Sequence, residues 1–276
     1  MIGSLSERSL SIIVPAYDEE ERIVAFLDAV TTGADAVAAA AQLTLSEVLV
    51  VDDGSRDATP RLLLEYAAVE PRLRVITFPR NRGKGAAVRA GMLAARGTWA
   101  LLTDVDLSTP LDDLCVLSRA LGEGADLAIG SRALPRSEVL VRQPVYRETM
   151  GKGFNLLLRL LTGLTIRDSQ CGFKLFRLET TRPLFELQRI EGFAFDAELC
   201  VLASQRGLTV AEVPVRWTND PRTHVSLVGA SSRMAIDLLR IAWLARGRRL
   251  SHRWLARRRR ASPRGRPPSG SAGHPG

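Results

Sequence analysis

Short apolar runs alternate with amphipathic segments along the first half of the chain. The runs are rich in β-branched residues and have the length of buried strands, and each is followed by a stretch with helical periodicity. Such an alternation predicts βαβ units, and therefore an α/β fold with a mostly parallel central sheet flanked by helices. The predicted strands are 11–16, 47–52, 74–78, 98–103 and 127–131, and the predicted helices are 19–40, 57–66, 85–96 and 111–121.

Beyond residue 132 the pattern becomes less regular. We predict helices over 144–163 and 196–206, a loop and strand over 170–177, a strand over 209–217 and an amphipathic helix over 233–246. Arg, Pro, Gly and Ser dominate after residue 257 and cannot build a core. The expected organisation is a flexible N-terminus (1–9), one folded domain (10–230), an amphipathic helix (231–250) and a disordered basic tail (251–276).

Polar residues follow three of the predicted strands directly. They are Tyr17-Asp18-Glu19, Asp52-Asp53 and Asp104-Val105-Asp106. Ligands of open parallel sheets bind at the carboxyl ends of the strands. The sequence therefore predicts a binding site at this edge.

Asp104 and Asp106 suit a hard divalent cation such as Mg²⁺, which takes one or two carboxylates and completes its shell with phosphate and water. Acids after a strand also serve as helix caps, so both interpretations stay open. Asp53 could accept hydrogen bonds from a base or ribose, whereas Asp57 is expected to cap the next helix. Lys84 lies between two glycines before a helix and could hold a phosphate, although the loop is no P-loop.

Together these segments resemble the family 2 glycosyltransferases of GT-A fold. The matching stretches are IIVPAYDEEERI, VLVVDDGSRDAT, RNRGKGAAVRAGM and DVDLSTP, in that order. Downstream, DSQCGFKLFR, EGFAFDAEL and VAEVPVRW are similar to the dolichyl-phosphate β-glucosyltransferase branch and to polyprenyl-phosphate hexose synthases in general. The resemblance covers about residues 10–245.

The resemblance implies a role for each matching residue. A nucleotide-sugar site would comprise Pro15, Ala16, Tyr17, Glu19, Asp53, Lys84 and Asp104. Mg²⁺ or Mn²⁺ would be held by Asp104 and Asp106. Basic residues facing the donor or the acceptor phosphate would be Arg132, Arg142, Arg147 and Lys152. The family's Gly-Ser-Lys segment is replaced by residues 219–225, where Arg222 or His224 could substitute for the lysine.

The scarcity of histidine bears on mechanism. Outside the tail only His224 is present, which argues against a Ser-His-Asp hydrolase. A polyprenyl phosphate needs no base, because a phosphate monoester with a second pKa of about 6 is already a dianion near neutrality. Arg132, Arg147 and the acids Asp104 and Asp106 are then the expected catalytic groups, with Asp196 as an alternative base.

The basic charge belongs to the tail. The net charge is +8, and residues 246–276 hold ten of the 38 basic residues and no acid; the remaining 28 against 30 acids leave −2 for residues 1–245. Ten arginines would attract an anionic membrane surface. They would equally support non-specific nucleic-acid binding, but no nucleic-acid motif is present.

Three functions stay open on these grounds. The first is an inverting transfer of a hexose from UDP-glucose, or alternatively GDP-mannose, to a polyprenyl phosphate. The second keeps the transfer but uses a soluble acceptor, and the third is nucleic-acid binding through the tail. Three scattered cysteines and the lack of a signal peptide or spanning segment predict a cytoplasmic protein, peripheral on the cytoplasmic face of the membrane.

Overall fold

A seven-stranded sheet organises the protein. The computed structural model describes residues 8–220 and 236–245, and its strands run in the order β3-β2-β1-β4-β7-β5-β8. Neighbouring strands are parallel except where β7 runs antiparallel between β4 and β5. The predicted, mostly parallel sheet is thus confirmed. The strands are β1 (Ser9–Ala16), β2 (Thr44–Asp52), β3 (Leu73–Thr77), β4 (Trp99–Leu102), β5 (Leu127–Ser131), β6 (Glu138–Val141), β7 (Lys174–Arg177), β8 (Val210–Pro214) and β9 (Arg216–Thr218).

Helices cover both faces of this sheet. One buried cluster joins the sheet to α1, α2 and α4, and a second joins it to α3, α5, α6, α7 and α8. The small strands β6 and β9 form a separate parallel pair. The helices are α1 (Ile23–Ala40), α2 (Thr59–Ala67), α3 (Lys84–Ala94), α4 (Leu114–Gly122), α5 (Val145–Thr162), α6 (Leu178–Leu187), α7 (Phe195–Arg206) and α8 (236–245).

Helices α1 and α2 begin later than the sequence predicts, and α4 begins at Leu114 after a short 3₁₀ turn over Leu111–Asp113. α1 starts at Ile23 rather than at residue 19, because the Glu19 N–H donates to Thr59 Oγ1 and the acids before the helix serve the neighbouring loop. α2 starts at Thr59 rather than at residue 57. The N-cap residue of α2 is Ala58 and not the predicted Asp57. The Asp57 carboxylate, one position earlier, accepts the N–H groups of Thr59 and Glu20 and so ties the start of the helix to the loop after β1. The hydrogen bonds of these N–H groups lower the pKa of Asp57, against the opposing effect of burial.

The predicted ends of the chain are only partly described. β1 begins at Ser9, inside the segment predicted to be flexible, and α8 gives the central part of the predicted amphipathic helix. The predicted basic tail lies outside the described residues. Among the described helices, α1 has the length and composition that a membrane span needs. Its residues Phe26, Leu27 and Val30 are buried in the core against the sheet.

The predicted single strand over 209–217 is divided between β8 and β9, which belong to different sheets. The sequence prediction also lacks α6, β6 and the antiparallel direction of β7. The last one shapes the site. Because Lys174 pairs with Leu102 at the carboxyl end of β4, the residues before β7 come to lie beside Asp104.

Candidate active site

The strands that carry the predicted site residues end side by side. Ala16 at the end of β1 pairs with Asp52 at the end of β2, and Ile13 pairs with Leu102 at the end of β4. The residues that follow these strands therefore share one edge of the sheet. Pro15 and Ala16 close β1, and Tyr17 is half-buried just beyond it.

Lys84 and Asp104 form an ion pair at this edge. Lys84 Nζ lies 2.7 Å from Asp104 Oδ1, and both side chains are partly exposed. Burial opposes the charge of Lys84, but the carboxylates of Asp104, Asp196 and Asp106 raise its pKa. The lysine therefore stays charged between acids that come from two different segments, the turn after β4 and helix α7.

Asp106 completes the acidic pair. Its Oδ1 accepts the N–H of Ser108 at 2.9 Å, which fixes the carboxylate in a tight turn. Burial raises the pKa of Asp106, and the charge of Asp104 raises it further. Two carboxylates that repel each other in a partly buried position are stabilised by a cation between them.

Glu19 is a third acid beside this pair. Burial raises its pKa to about 7, and the charges of Asp106 and Asp104 act in the same direction against the opposing Arg22. The Arg22 guanidinium lies 2.6 Å from the Glu19 carboxylate and 3.5 Å from that of Asp220. Arg22 thus links the first loop of the site to the segment after β9.

Asp53 holds the loop that carries Lys84. Its two carboxylate oxygens accept the N–H groups of Arg82 and Gly83, each at 2.8 Å. Gly83 has φ 111°, and a Cβ there would lie 2.5 Å from the carbonyl oxygen of Glu191. Burial raises the pKa of Asp53, and these two hydrogen bonds oppose the rise. The structure therefore gives Asp53 a positioning role in addition to the predicted contact with a base.

Asp196 is buried under the site. Its carboxylate pairs with Lys174, which also donates to the Cys171 carbonyl, and both charged side chains are almost inaccessible. Burial raises the pKa of Asp196, against the charges of Lys174 and Lys84. This carboxylate is engaged by a lysine rather than open to a substrate.

A basic cavity of about 680 Å³ lies beyond the end of β5. Arg132 lies in its wall and makes a two-pronged pair with Asp168, at 2.7 Å from Nε and 2.8 Å from the terminal nitrogen. The Trp217 ring centroid lies 5.2 Å from the guanidinium carbon. Hydrogen bonds and charge from Asp168 raise the pKa of Arg132 despite its burial, and Asp104 contributes to the rise.

The other cations of the cavity come from α5 and the loops beside it. Lys152 and Arg142 approach Glu148 at 2.7 and 3.7 Å, and Arg159 and Arg167 complete the lining. The cavity therefore contains five cationic and two acidic side chains. Of the remaining predicted residues, Arg147 belongs to α5, but its side chain is not among those described, and Arg222 and His224 lie outside the described residues.

Sequence reasoning missed several residues of this arrangement: Lys174, Asp168, Gly172, Arg159, Arg167 and Trp217. All of them except Arg159 stand in or next to DSQCGFKLFR and VAEVPVRW, the segments that carry the downstream resemblance. The family resemblance of these two segments was a signal that they belong to the site. The residues that they contact can be identified only when β7 is placed between β4 and β5.

The mostly parallel sheet, with acidic residues and a lysine at the carboxyl ends of its strands, has the GT-A fold. Residues 11–185 match the model of glycosyl transferase family 2, and the chain belongs to this family. It is an enzyme of the glycosyltransferase class.

The relatives and the solved structures agree with this assignment. The chain is 38% identical to a dolichyl-phosphate beta-glucosyltransferase of Trichomonas vaginalis, over 87% of this chain and 73% of the relative. It is 42% identical to the Drosophila melanogaster dolichyl-phosphate beta-glucosyltransferase, over 76% and 67%.

Among solved structures, glucosyl-3-phosphoglycerate synthase of Mycobacterium tuberculosis with Mn²⁺, UDP-glucose and phosphoglyceric acid superimposes with a TM-score of 0.62 at 21% identity. The superposition covers 88% of this chain and 84% of that one. The same enzyme in complex with UDP gives a TM-score of 0.61 at 22% identity, over the same shares. At this identity the likeness concerns the fold.

Proposed function

We propose that this protein transfers glucose from UDP-glucose to the phosphate of dolichyl phosphate or a related polyprenyl phosphate, with inversion at the anomeric carbon. The observation that carries the proposal is the position of Arg132. It lines the basic cavity and pairs with Asp168, at the start of the segment whose Gly172 lies against the carboxylate of Asp104. An anion in the cavity and a nucleotide sugar at the edge would therefore face each other.

The acidic pair fits a divalent cation. Asp104 and Asp106 would hold Mg²⁺ or Mn²⁺, which neutralises the charge that develops on the leaving diphosphate. No three acidic, His or Cys side chains of the described residues group as an all-protein metal site. Mg²⁺ that completes its shell with phosphate oxygens and water needs only one or two carboxylates. A solved structure of the same fold contains Mn²⁺ with UDP-glucose.

The donor half of the site would orient the nucleotide. Lys84, which pairs with Asp104, would neutralise an oxygen of the donor diphosphate. Tyr17 and Glu19 line the same edge, while Asp53 keeps the Lys84 loop in place. Charges held in a fixed arrangement stabilise a transition state without reorganising.

The acceptor phosphate would be its own nucleophile. One phosphate oxygen forms a bond to the anomeric carbon while the bond from that carbon to the diphosphate breaks, and no proton has to be removed. Arg132, Arg142, Lys152 and Arg147 are the proposed phosphate-binding residues, joined by Arg159 and Arg167 from the cavity lining. The pairing of Asp196 with Lys174 supports a reaction without a carboxylate base.

We further propose that the reaction takes place on the cytoplasmic side of a membrane. Cys115, Cys171 and Cys200 are all free thiols, as expected in a reducing compartment. The acceptor named for the relatives is a membrane lipid.

The test is transfer of label into the organic phase. Purified protein, Mg²⁺ or Mn²⁺ and farnesyl phosphate would be incubated with labelled UDP-glucose or, in parallel, GDP-mannose. We expect transfer from UDP-glucose, none to farnesol, and a loss of at least about a hundredfold in Asp106→Asn with the fold retained. Transfer from GDP-mannose alone would refute the donor, and transfer to 3-phosphoglycerate in place of the lipid would refute the acceptor. A fully active Asp106→Asn would refute the metal site.

A further inference from the structure

Helix α5 exposes a row of large apolar side chains. Tyr146, Met150, Leu157 and Leu160 follow one another at spacings of four, seven and three residues, so they lie along one side of the helix. Their exposed fractions range from 47% for Leu157 to 73% for Leu160. A continuous apolar row of this kind usually marks an interaction surface, whereas single exposed leucines do not. We call these four residues the α5 stripe.

Of the other two sides of α5, one packs against the core and one lines the basic cavity. Leu158 and Thr162 are buried towards the core. Glu148, Lys152 and Arg159 face the basic cavity. The α5 stripe is therefore a third side, which nothing in the described part of the chain covers.

Helix α8 likewise has one apolar side buried in the core and one exposed. Its residues Leu238 and Ile241 are buried in the same core cluster as Leu158 of α5. The opposite side of α8 exposes Leu239 and Trp243, the latter to 75%. Two helices anchored in one layer of the fold thus present large apolar side chains to the outside.

The charged side chains near this apolar surface indicate which kind of partner covers it. Lys152 and Arg142, which line the cavity on the neighbouring side of α5, are 75% and 76% exposed at their side chains. A helix with an apolar side, flanking cations and aromatic residues that carry polar groups is typical of an amphipathic segment lying in a membrane interface. A lipid bilayer with anionic headgroups offers an acyl region to the apolar side of the helix and negative charge to the neighbouring cations.

We propose that α5 lies in the interface of a lipid bilayer, with the α5 stripe at the acyl boundary and the basic cavity open at the depth of the headgroups. This inference rests on the proposed function. The acceptor phosphate of a polyprenyl lipid lies at headgroup depth, so the lipid could enter the cavity while its chain stays in the membrane. The contact surface is thus a side of the catalytic domain itself.

Flotation with vesicles of phosphatidylcholine and a minor fraction of phosphatidylserine tests the contact. The test variant is the full chain with Leu157→Glu and Leu160→Glu. The matched control carries Leu64→Glu and Val69→Glu, whose leucine and valine are 65% and 79% exposed elsewhere on the domain. The salt concentration is kept high, so that attraction of the arginine-rich tail to the vesicles is screened. We expect the test variant to partition at least about tenfold more weakly than wild type, and the control to match wild type.

Transfer assays with two acceptors separate this surface from the catalytic site. Transfer to farnesyl phosphate in solution should be equal in all three proteins, whereas transfer to a long polyprenyl phosphate embedded in vesicles should fall in the test variant alone. Equal flotation of test variant and control would overturn the inference. A wild-type dimer that the test variant disrupts, with flotation unchanged, would also overturn it and assign the stripe to a second copy of the chain. Failure of the proposed function looks different, because wild type would then transfer glucose to neither acceptor.

Discussion

The carboxylate of Asp104 occupies the place where a side chain on Gly172 would begin. A Cβ built on Gly172 would collide with Oδ2 of Asp104 and lie 2.9 Å from its carboxyl carbon. The glycine of one chain segment therefore sets the position of the acid at the end of another strand. The order of residues along the chain does not indicate that Gly172 and Asp104 touch.

Gly172→Ala should therefore impair catalysis through Asp104. We expect the displaced carboxylate to lower transfer by about 10–100-fold, with weaker binding of Mn²⁺ and little change in the acceptor KM. Steady-state kinetics over a range of Mn²⁺ concentrations measure this. Gly33→Ala, in an open position of α1, is the matched control and should stabilise the fold by about 0.5–1 kcal/mol with activity unchanged. Wild-type kinetics in Gly172→Ala would show that the acid tolerates the shift.

Glu19 should make stability depend on pH. Burial raises its folded pKa to about 7, above the ordinary value of 4.5. The folded state therefore binds this proton more tightly than the unfolded state, and the contribution to stability is lost as the pH rises from about 4.5 to 7. We expect Glu19→Gln to be more stable than wild type at pH 8, by at most about 3 kcal/mol, and to lose this advantage at pH 5.

Thermal unfolding with a chelator present measures the effect of Glu19→Gln. Glu65→Gln, an exposed helix residue paired with Arg61, is the control and should show no such difference between the two pH values. A Glu19→Gln variant whose advantage is the same at both pH values would contradict the prediction.

Lys174 and Asp196 should behave as a unit. Lys174→Met leaves a buried carboxylate without its partner, and we expect a loss of about 3–5 kcal/mol in the free energy of unfolding. The double variant Lys174→Met/Asp196→Leu should regain much of this loss. Denaturant unfolding of both single variants and the double variant measures the coupling. Additive losses would show that the two side chains act independently.

Arg132 should not be replaceable by lysine. Its two nitrogens pair with the two oxygens of Asp168, a geometry that an ammonium group cannot reproduce. We expect Arg132→Lys to raise the KM for the prenyl phosphate by about tenfold, with a smaller effect on the KM for the donor. Arg136→Lys, at an exposed position of the same loop, is the control. A larger rise in the KM for the donor than in the KM for the prenyl phosphate would place Arg132 at the donor instead.

The sequence predicts the first half of the fold well, and the physical reason is local. Strands β1, β2 and β4 are buried on both faces, so each appears as an apolar run, and the polar residues after them must meet at one edge. The later half depends on contacts between distant segments. Asp168 meets Arg132 across 36 residues, and Lys174 meets Asp196 across 22. α6 contains Pro183, which argues against a helix in any local pattern.

The position of β7 has a consequence for how such enzymes diversify. β5 and β7 are antiparallel neighbours, with Ile129 opposite Lys174, so the long segment between them is formally the connection of a single hairpin. That connection contains β6, α5 and most of the basic cavity. A connection can change in length and composition without altering the register of the strands that it joins. Evolution can therefore replace this connection, and most of the basic cavity with it, while the sheet edge that carries Asp104 and Asp106 keeps its geometry.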